Sequence, residues 1–496
     1  MSVVDHLPIL IIIIPLIAAP LCVLFDSAKV SWLLALAACI FSFIGSIKLL
    51  NTITASGPIS YSLGGWQPPW GIEYRLDLLS IILLLLLTSI ASLVVLFARY
   101  SVEQEISKNR IVPFYATLLL AIAGLSGICI SGDVFNLFVF LEISSIASYT
   151  LISLGKDRRA LNAAFKYLVM GTIGATFILI GIGFLYMQTG TLNMQDLSER
   201  LPSLYDNRTI RAGFAFLTVG ICLKLALFPL HLWLPNAYAY APSVVSAFLA
   251  ATATKVAVYM LLRFLLTVFD FNFSLNTMPL DVILIALGSV AIVSSSLVAI
   301  FQVNLKRLLA YSSIAQLGYI SLSIGLASKL GIASAIIHLF NHALMKGALF
   351  LALGAMIYKV GGAELKHCQG MLKRMPLTSL AIIIGGLSLI GIPGTAGFIS
   401  KWYMINASLE AGLWPLALLI LFGSLLAIIY VWKMVEAITL QPSTSTATAP
   451  LTRDEAPLTM LIPIWALVIA NIYYGINTEL TVSLAQRAAN ILVGGY

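Results

Sequence analysis

Apolar runs of membrane-spanning length follow one another along almost the whole chain. A helix that crosses the hydrocarbon core of a bilayer needs about 20 apolar residues, so the pattern predicts about fourteen spans. They are expected at residues 7–25, 31–50, 77–99, 111–130, 134–154, 163–187, 212–230, 243–267, 280–303, 307–327, 331–358, 376–396 continuing to 409, 413–433 and 457–475. The first run opens this long series and has no small-residue cleavage site, so we interpret it as a retained span rather than a signal peptide.

Composition supports an all-α, polytopic membrane protein. Hydrophobic residues make up 60% of the chain and charged residues only 10%, and the mean hydropathy is +1.01. Soluble domains carry about 25% charged residues, so soluble classes are excluded. The five cysteines lack paired spacing, and no Gly-rich phosphate motif is present. We therefore expect no disulfide, no bound metal and no cofactor.

The net charge of +8 does not indicate a nucleic-acid partner, because the basic residues lie in short loops between apolar runs. In membrane proteins such loops face the cytoplasm. If the N-terminus lies outside, one side of the membrane collects these residues: Lys108, Arg110, Lys156, Arg158, Arg159, Lys306, Arg307, Lys366, Lys373 and Arg374. The charge pattern thus predicts that both termini face outward.

Three polar stretches are predicted to be loops, namely residues 51–75, 188–211 and 441–456. The last is rich in Ser, Thr and Pro and is predicted to link flexibly to the final span. After that span we expect no long amphipathic helical arm. Asp77 and Asp133 lie at the ends of spans and are interpreted as solvated helix caps.

Two of the spans are predicted to be interrupted. Pro229 and Pro235 lie at the first interruption, and Pro393 and Gly394 lie at the second. Proline removes a backbone donor and clashes with the preceding turn, so each span should break. Broken helices in corresponding positions of two halves are the usual sequence sign of an internal repeat and a transport site. The predicted orientation makes this repeat an inverted one.

Ionisable residues within the spans are the candidates for chemistry. Lys224 lies in an apolar run just before the first break, and Glu142 is the only Asp, Glu, Lys, Arg or His of its span. A lysine at membrane depth costs about 2.5–3.5 kcal/mol on insertion scales, which usually accompanies a function. A buried carboxylate requires a basic partner to stay charged, and Lys224 is the obvious candidate. The alternatives are a snorkelling lysine and a structural carboxylate.

Further bases recur in later spans. Lys255 lies well inside its span, and His338, His342 and Lys346 are spaced four residues apart, so they stack on one helix face. Histidine titrates near neutral pH, so this row predicts a proton relay. A His-x-x-x-His metal site is one rival, but the lysine one turn on would repel a cation and no carboxylate is nearby. Ordinary core histidines are the other alternative. Lys401 follows the second break and is a candidate for terminal proton exchange.

Four residues are weaker candidates. His231 relays protons or caps carbonyls freed by the first break. Lys306 begins a span beside Arg307, where anchoring at the membrane surface is the leading interpretation. Ser313 and Gln316 hold water or bond across helices. Together, the intramembrane residues predict a hydrated axis along the membrane plane.

These segments resemble a known family. Phe-Leu-Glu142, Lys224 before Phe-Pro-Leu-His-Leu-Trp-Leu-Pro, Lys255, His338-Leu-Phe-Asn-His342-Ala-Leu-Met-Lys346 and Lys401 after a Gly/Pro break resemble the antiporter-like subunits. Mrp cation/proton antiporters, respiratory complex I and membrane-bound hydrogenases share these subunits. The resemblance implies fourteen helices, with two inverted five-helix repeats and two discontinuous helices. It also implies that protons pass along Glu142, Lys224, Lys255, the histidine helix and Lys401.

The resemblance also divides the chain. Residues 1–110 would hold helices 1–3, residues 111–268 the first repeat, residues 279–434 the second, and residues 456–496 helix 14 and a tail. Within the family, the stretch from Gly132 to Ser145 and the one from Gly155 to Leu168 resemble the D-type chain of Mrp antiporters. Lys401, where one complex I subunit carries Glu, argues against that subunit.

The sequence therefore predicts a proton-translocating subunit of a multisubunit Na⁺(K⁺)/H⁺ antiporter in a bacterial inner membrane. It would be a secondary transporter subunit rather than an enzyme, with other membrane subunits, protons and monovalent cations as partners. The main alternative is a proton-pumping subunit of a complex I-like oxidoreductase or membrane-bound hydrogenase, in which it would belong to an enzyme. A scaffold without conduction and a stand-alone carrier are further alternatives.

Overall fold

The computed structural model describes residues 3–440 and 453–494 and is built almost entirely of helices. The first half holds α1 (Leu7–Phe25), α2 (Ala28–Ser56), α3 (Leu78–Glu105), α4 (Ile111–Ile130), α5 (Val134–Ser153), α6 (Arg158–Thr189), α7 (Met194–Arg200), α8 (Arg208–Leu225), α9 (Leu234–Tyr240), α10 (Ser243–Ala251) and α11 (Ala253–Arg263). The second half holds α12 (Leu280–Ile300), α13 (Leu305–Gly325), α14 (Lys329–Val360), α15 (Met371–Arg374), α16 (Pro376–Ile390), α17 (Ala396–Glu410), α18 (Trp414–Thr439), α19 (Leu458–Ile476) and α20 (Glu479–Gly494).

Most of the fourteen predicted spans are present in the structure as helical segments of membrane-spanning length. Among the described residues, twelve helical segments are long and apolar enough to cross a membrane, one of which, residues 243–268, contains α10 and α11. The two predicted spans missing from the twelve are those at 212–230 and 376–409. These are the segments predicted to be interrupted, and the structure divides them into α8 with α9 and α16 with α17. The protein is thus a multi-pass helical membrane protein with two discontinuous helices, as predicted.

Burial is greatest in the middle of the bundle. Along α10 with α11, and along α13, 94% of the most apolar window is buried, against 39% along α2, α6, α12 and α18. Helices α13 and α14 also pack against each other. The most buried helices therefore carry Lys255 and Lys306, and the outer helices present apolar side chains outward, as lipid requires.

The two broken spans cross the bundle in opposite directions. Helix α8 starts beside the loop at 201–207, whereas α16 starts at the end of the bundle that holds α15 and the end of α14. We call that second end the basic face, because the loops at 106–110, 154–159 and 361–375 collect the lysines and arginines there. Opposite crossing directions agree with an inverted relation. The domain boundaries remain a prediction.

Some loops contain structure that the hydropathy pattern does not predict. Within residues 51–75, Ile59–Ser62 (β1) pairs antiparallel with Glu73–Leu76 (β2), with Ile59 opposite Leu76. Within residues 188–211, Asn193 caps α7 by accepting from the backbone N–H of Gln195. Both elements are too short and polar to leave a periodic signal. Most of the predicted linker, residues 441–452, lies outside the described residues.

The segment after the last span folds back on the bundle. Where we expect only a tail, α20 packs against α14 and α3 and buries Val482, Ala485, Ala488 and Leu492. Alanines on its buried face permit the close approach. The described part of the linker also contacts the bundle, because Asp454 pairs with Lys359 of α14 and Arg374 of α15.

Candidate functional site

The first break begins before the proline that predicts it. Helix α8 ends because Ala226 adopts a left-handed conformation (φ 59°, ψ 40°), and the chain then turns through Pro229 to α9. A non-glycine residue in this conformation costs roughly 1–2 kcal/mol, so the surrounding contacts must hold it. One of these contacts is Trp233, whose indole donates to the carbonyl of Leu223 at 3.1 Å. Pro235 does not lie in the break, because it sits in the first turn of α9, where a missing N–H costs nothing.

Lys224, two residues before this break, forms an ion pair with Glu142 of α5. Lys224 Nζ lies 3.7 Å from Glu142 Oε1 and donates to Ser145 Oγ at 2.8 Å. The Lys224 side chain is 4% exposed and the Glu142 side chain 30%. The partner expected from the sequence is therefore present, and Glu142 opens toward the outer surface of α5. Since Glu142 Oε1 has no hydrogen bond, this oxygen is able to accept a proton.

A small cavity leads from Lys224 toward the middle of the bundle. Its volume is about 30 Å³, and it is lined by Ser144, Ser145, Ser148, Tyr167 and, from α11, Ala253, Val256 and Ala257. A water molecule needs about 10–15 Å³ and two or more polar partners. The serine hydroxyls and the lysine provide those partners, so water fits between Lys224 and α11.

Lys255 lies at a break that the sequence does not reveal. Helix α10 ends and α11 begins at Thr252, whose dihedrals (φ −124°, ψ −59°) are not helical. Lys255, which is fully buried, donates to the carbonyl of Ala250 that this break frees. No proline or glycine marks the position, so hydropathy alone predicts an unbroken span.

The histidine helix is stacked as its spacing predicts. The rings of His338 and His342 lie 5.9 Å apart and are nearly parallel, at 8°. Lys346 donates to the Leu309 carbonyl at 2.9 Å and to Ser312 Oγ, both on α13. Lys255 lies close enough to His342 and Lys346 to interact with them electrostatically. Both ring nitrogens of His342 lack hydrogen-bond partners among the described residues, which leaves them available for water or a proton.

The second break holds Lys401. Gly391 and Gly394 adopt positive φ angles of 91° and 84°, and Gly397 approaches Ser388 so closely that a Cβ there would lie 1.8 Å from its carbonyl oxygen. Lys401 Nζ donates to the Ile390 carbonyl at 2.8 Å and to Ser424 Oγ at 2.8 Å. A lysine thus satisfies carbonyls that the end of α16 leaves free.

Contacts between side chains join this lysine to the histidine pair. His338 Nδ1 is 2.8 Å from Ser400 Oγ, next to Lys401 in the chain. Tyr319 lies between them, with its ring centroid 6.0 Å from that of His338 and 5.0 Å from Lys401 Nζ. The structure therefore brings Lys255, Lys346, His342, His338 and Lys401 into one buried row.

The weaker candidates lie in different surroundings. His231 stacks on Phe228, and its Nδ1 caps no carbonyl. Ser313 bonds to Leu309 of its own helix, and the partner of Lys346 is its neighbour Ser312. Gln316 is buried with neither amide atom bonded, which is typical of a group that binds water. Lys306 is 5% exposed, so burial replaces the surface anchoring that the sequence favours.

One buried ion pair is absent from the sequence prediction. Asp77 caps α3 but is not solvated, because Arg263 of α11 donates to both carboxylate oxygens at 2.7 and 2.8 Å. Arg263 also donates to Ser80 Oγ and to Tyr259, whose hydroxyl reaches the Cys129 carbonyl. The available signal was an arginine inside the predicted span 243–267. The pair fixes the helix that carries Lys255.

Removing one partner of this pair should destabilise the protein. Replacing Arg263 with Leu leaves the Asp77 carboxylate buried without its counter-charge, which costs about 3–5 kcal/mol in comparable pairs. We expect a lower thermal unfolding midpoint for the purified protein in detergent, measured by tryptophan fluorescence. The double variant Asp77→Leu/Arg263→Leu should recover much of the loss. An unchanged midpoint in the single variant would show that the pair does not clamp α3 to α11.

A comparison with known proteins identifies the family. Residues 131–427 match the model for the transmembrane region of the NADH:quinone oxidoreductase/Mrp antiporter family. The chain is 40% identical over 96% of its length, and 97% of the relative's, to the N-type chain of NADH-quinone oxidoreductase from Desulforudis audaxviator. It is 30% identical over 99% of its length, and 97% of the relative's, to the D-type chain of the Na(+)/H(+) antiporter from Bacillus subtilis. The chain belongs to this family.

Solved structures share the fold along the whole chain. A chain of the Mrp complex from Dietzia superposes with a TM-score of 0.90 at 24% identity, covering 99% of this chain and 98% of that one. A chain of an archaeal membrane-bound sulfane sulfur reductase superposes with a TM-score of 0.88 at 30% identity, covering 98% of both. The family resemblance predicted from the sequence is confirmed.

The region that matches the family model contains the whole buried row. The matched region, residues 131–427, contains both broken spans and every residue from Glu142 to Lys401. Asp77 and Glu105 of α3 lie before it, and Asn471 of α19 lies after it. Asn471 accepts from Ser388 Oγ at 2.7 Å, so α19 also contributes to the second break.

Proposed function

We propose that this chain is the proton-translocating subunit of a multisubunit Na⁺(K⁺)/H⁺ antiporter in a bacterial inner membrane. The observation that carries the proposal is the buried row of bases from Lys224 to Lys401, which begins at the ion pair with Glu142. A bundle held only by apolar packing has no need of six such bases (Lys224, Lys255, His338, His342, Lys346 and Lys401). Each costs free energy to bury, and each lies beside a helix break or another base.

Protons would move along the row by electrostatic coupling. In a low-dielectric interior, like charges interact strongly, so a proton gained at one base disfavours protonation of its neighbour. Protonation of Glu142 would release Lys224 from its counter-charge. The change would then pass through Lys255 to Lys346, His342, His338 and Lys401. The groups titrate as a coupled set rather than one at a time.

The exchanged cation is assigned to a partner subunit. The row is basic, so it repels Na⁺ and K⁺, while protons pass along it by transfer between side chains and water. The membrane potential supplies about 2.3 kcal/mol for each charge that crosses 100 mV, which suffices to drive cation exchange. The relatives named as D-type chains of Na(+)/H(+) antiporters support a role in cation/proton exchange.

A second candidate is a proton-pumping subunit of a complex I-like oxidoreductase. The 40% identity to a protein named as the N-type chain of NADH-quinone oxidoreductase supports it. The buried row would serve the same purpose there, with redox chemistry in partner subunits in place of cation exchange.

Everted vesicles that contain the complex expressed from its own operon distinguish the two. A pH-sensitive dye reports proton movement after addition of Na⁺ or K⁺, and after addition of NADH to vesicles without either cation. Cation-driven movement supports the antiporter. NADH-driven movement with no cation response supports the redox pump, and no movement under either condition contradicts both.

A further inference from the structure

A cavity opens on the basic face and ends at a second acid–base pair. Its volume is about 470 Å³, large enough for many waters. At its inner end, Lys306 Nζ lies 3.8 Å from Glu105 Oε2, close to the 3.7 Å separation of Lys224 and Glu142. The side chains are 6% and 18% exposed, so the lysine is buried and the carboxylate faces the cavity. The sequence gives no hint of this pair, because the two residues are far apart in the chain.

Hydrogen bonds fix both members. Glu105 accepts from Ser101 Oγ at 2.9 Å, and from the backbone N–H and Oγ of Ser243 at 2.8 and 3.0 Å. Lys306 donates to the Ala241 carbonyl at 2.8 Å. The pair therefore joins the end of α3, the start of α10 and the start of α13.

The two other carboxylates of the cavity are each paired with a neighbouring base. The Arg159 guanidinium, by hydrogen bonding, lowers the pKa of Asp157, and Lys366 likewise lowers the pKa of Glu364. Both carboxylates therefore stay ionised as the pH varies around neutrality. Lys156, His367 and Tyr240 complete the titratable lining. Three carboxylates (Glu105, Asp157, Glu364) face three basic side chains (Lys156, Arg159, Lys306), a balance that suits neither a stored cation nor a stored anion.

Lys306 lies one turn along α13 from Leu309, a partner of Lys346. The Leu309 carbonyl, three residues along α13 and about 4.5 Å higher on its axis, accepts from Lys346. Ser312, a further turn along, is the second partner of Lys346. The polar groups of α13 thus lead from the cavity to the middle of the histidine helix.

The geometry points to Glu105 and Lys306 as a proton-loading site that exchanges protons between water at the basic face and Lys346. The inference rests on the proposed function, since it supplies the row with access to one side of the membrane. The positive-inside rule makes that side the cytoplasm. A proton from cavity water binds the Glu105 carboxylate and weakens its attraction for Lys306. The lysine then releases its own proton to water, which passes it through the Ser312 hydroxyl to a neutral Lys346. Glu105 then returns its proton to Lys306, so atoms and charge balance.

The test compares Glu105→Gln with Glu105→Asp in everted vesicles that contain the whole complex. Glutamine keeps the shape and one oxygen that accepts from Ser243, but it holds no exchangeable proton, so proton transport should slow about tenfold or more. Aspartate keeps the carboxyl group and should retain at least about half of the rate, with a displaced pH profile. Equal losses in both variants, with assembly intact, would reduce Glu105 to a structural cap and overturn the inference.

Other outcomes separate this inference from the proposed function. If the unmutated complex moves no protons, the proposed function fails. If it moves protons and Glu105→Gln matches it at every pH, the loading site is wrong and the row stands. Should Glu105→Gln fail to assemble, Lys306→Met replaces it, and a wild-type rate in that variant also overturns the site.

Discussion

Replacing Lys255 with Met is expected to abolish proton transport. Lys255 is fully buried at the Thr252 break, between the Glu142–Lys224 pair and the histidine helix. Methionine fills the same volume and removes the proton carrier, so the two halves of the row lose their connection. Loss of a group that transfers protons typically costs about 100-fold or more in rate. Proton/cation exchange in everted vesicles, driven by Na⁺ or K⁺, measures the loss.

A matched lysine separates loss of the row from loss of any buried lysine. Lys433 also donates to backbone carbonyls, those of Ile300 and Gln302, but lies outside the row. Lys433→Met should retain most of the transport, and both variants should assemble with their partner subunits. Transport at the wild-type rate in Lys255→Met would mean that protons bypass the middle of the bundle.

Lys346→Met is expected to have an effect of similar size. Lys346 is the point where the histidine helix meets α13, through Leu309 and Ser312, and it lies beside Lys255. Removing its charge ends the coupling of Lys255 to the histidines, so the exchange rate should again fall about 100-fold. Vesicle assays under the same ion gradients measure the rate.

Lys359→Met provides the control on the same helix. Lys359 lies near the basic face, where it pairs with Asp454, and it has no contact with the row. Its replacement should leave the rate nearly unchanged. Should the two variants transport equally well, Lys346 would serve only to hold α13 against α14.

Hydropathy and proline positions predicted much of this fold, because lipid imposes strong constraints. A spanning segment must form all of its backbone hydrogen bonds internally and expose apolar side chains. Its sequence is therefore a long apolar run that hydropathy detects. The first break begins at Ala226, two residues after Lys224. In the second break, Gly394 adopts the positive φ that a tight turn requires. The histidine spacing was informative for the same reason, since helical geometry fixes which residues share a face.

Contacts between distant segments left no such signal. Arg263 meets Asp77 and Lys306 meets Glu105 across helices that are far apart in the chain, and only packing decides these pairs. Thr252 breaks its span without proline or glycine, because the Lys255 ammonium satisfies a freed carbonyl. Ser312 rather than Ser313 meets Lys346, a difference of one residue that depends on the rotation of α13.

The most direct test of the buried row is proton/cation exchange by a complex that carries Lys224→Ala, in everted vesicles with Na⁺ and K⁺ and a pH-sensitive dye. Lys224 is the base that pairs with Glu142 and begins the row. If protons pass along the buried row, exchange is lost while the complex still assembles with its partners. Exchange at the wild-type rate in the assembled variant would contradict this path, and would favour a scaffold whose protons pass elsewhere.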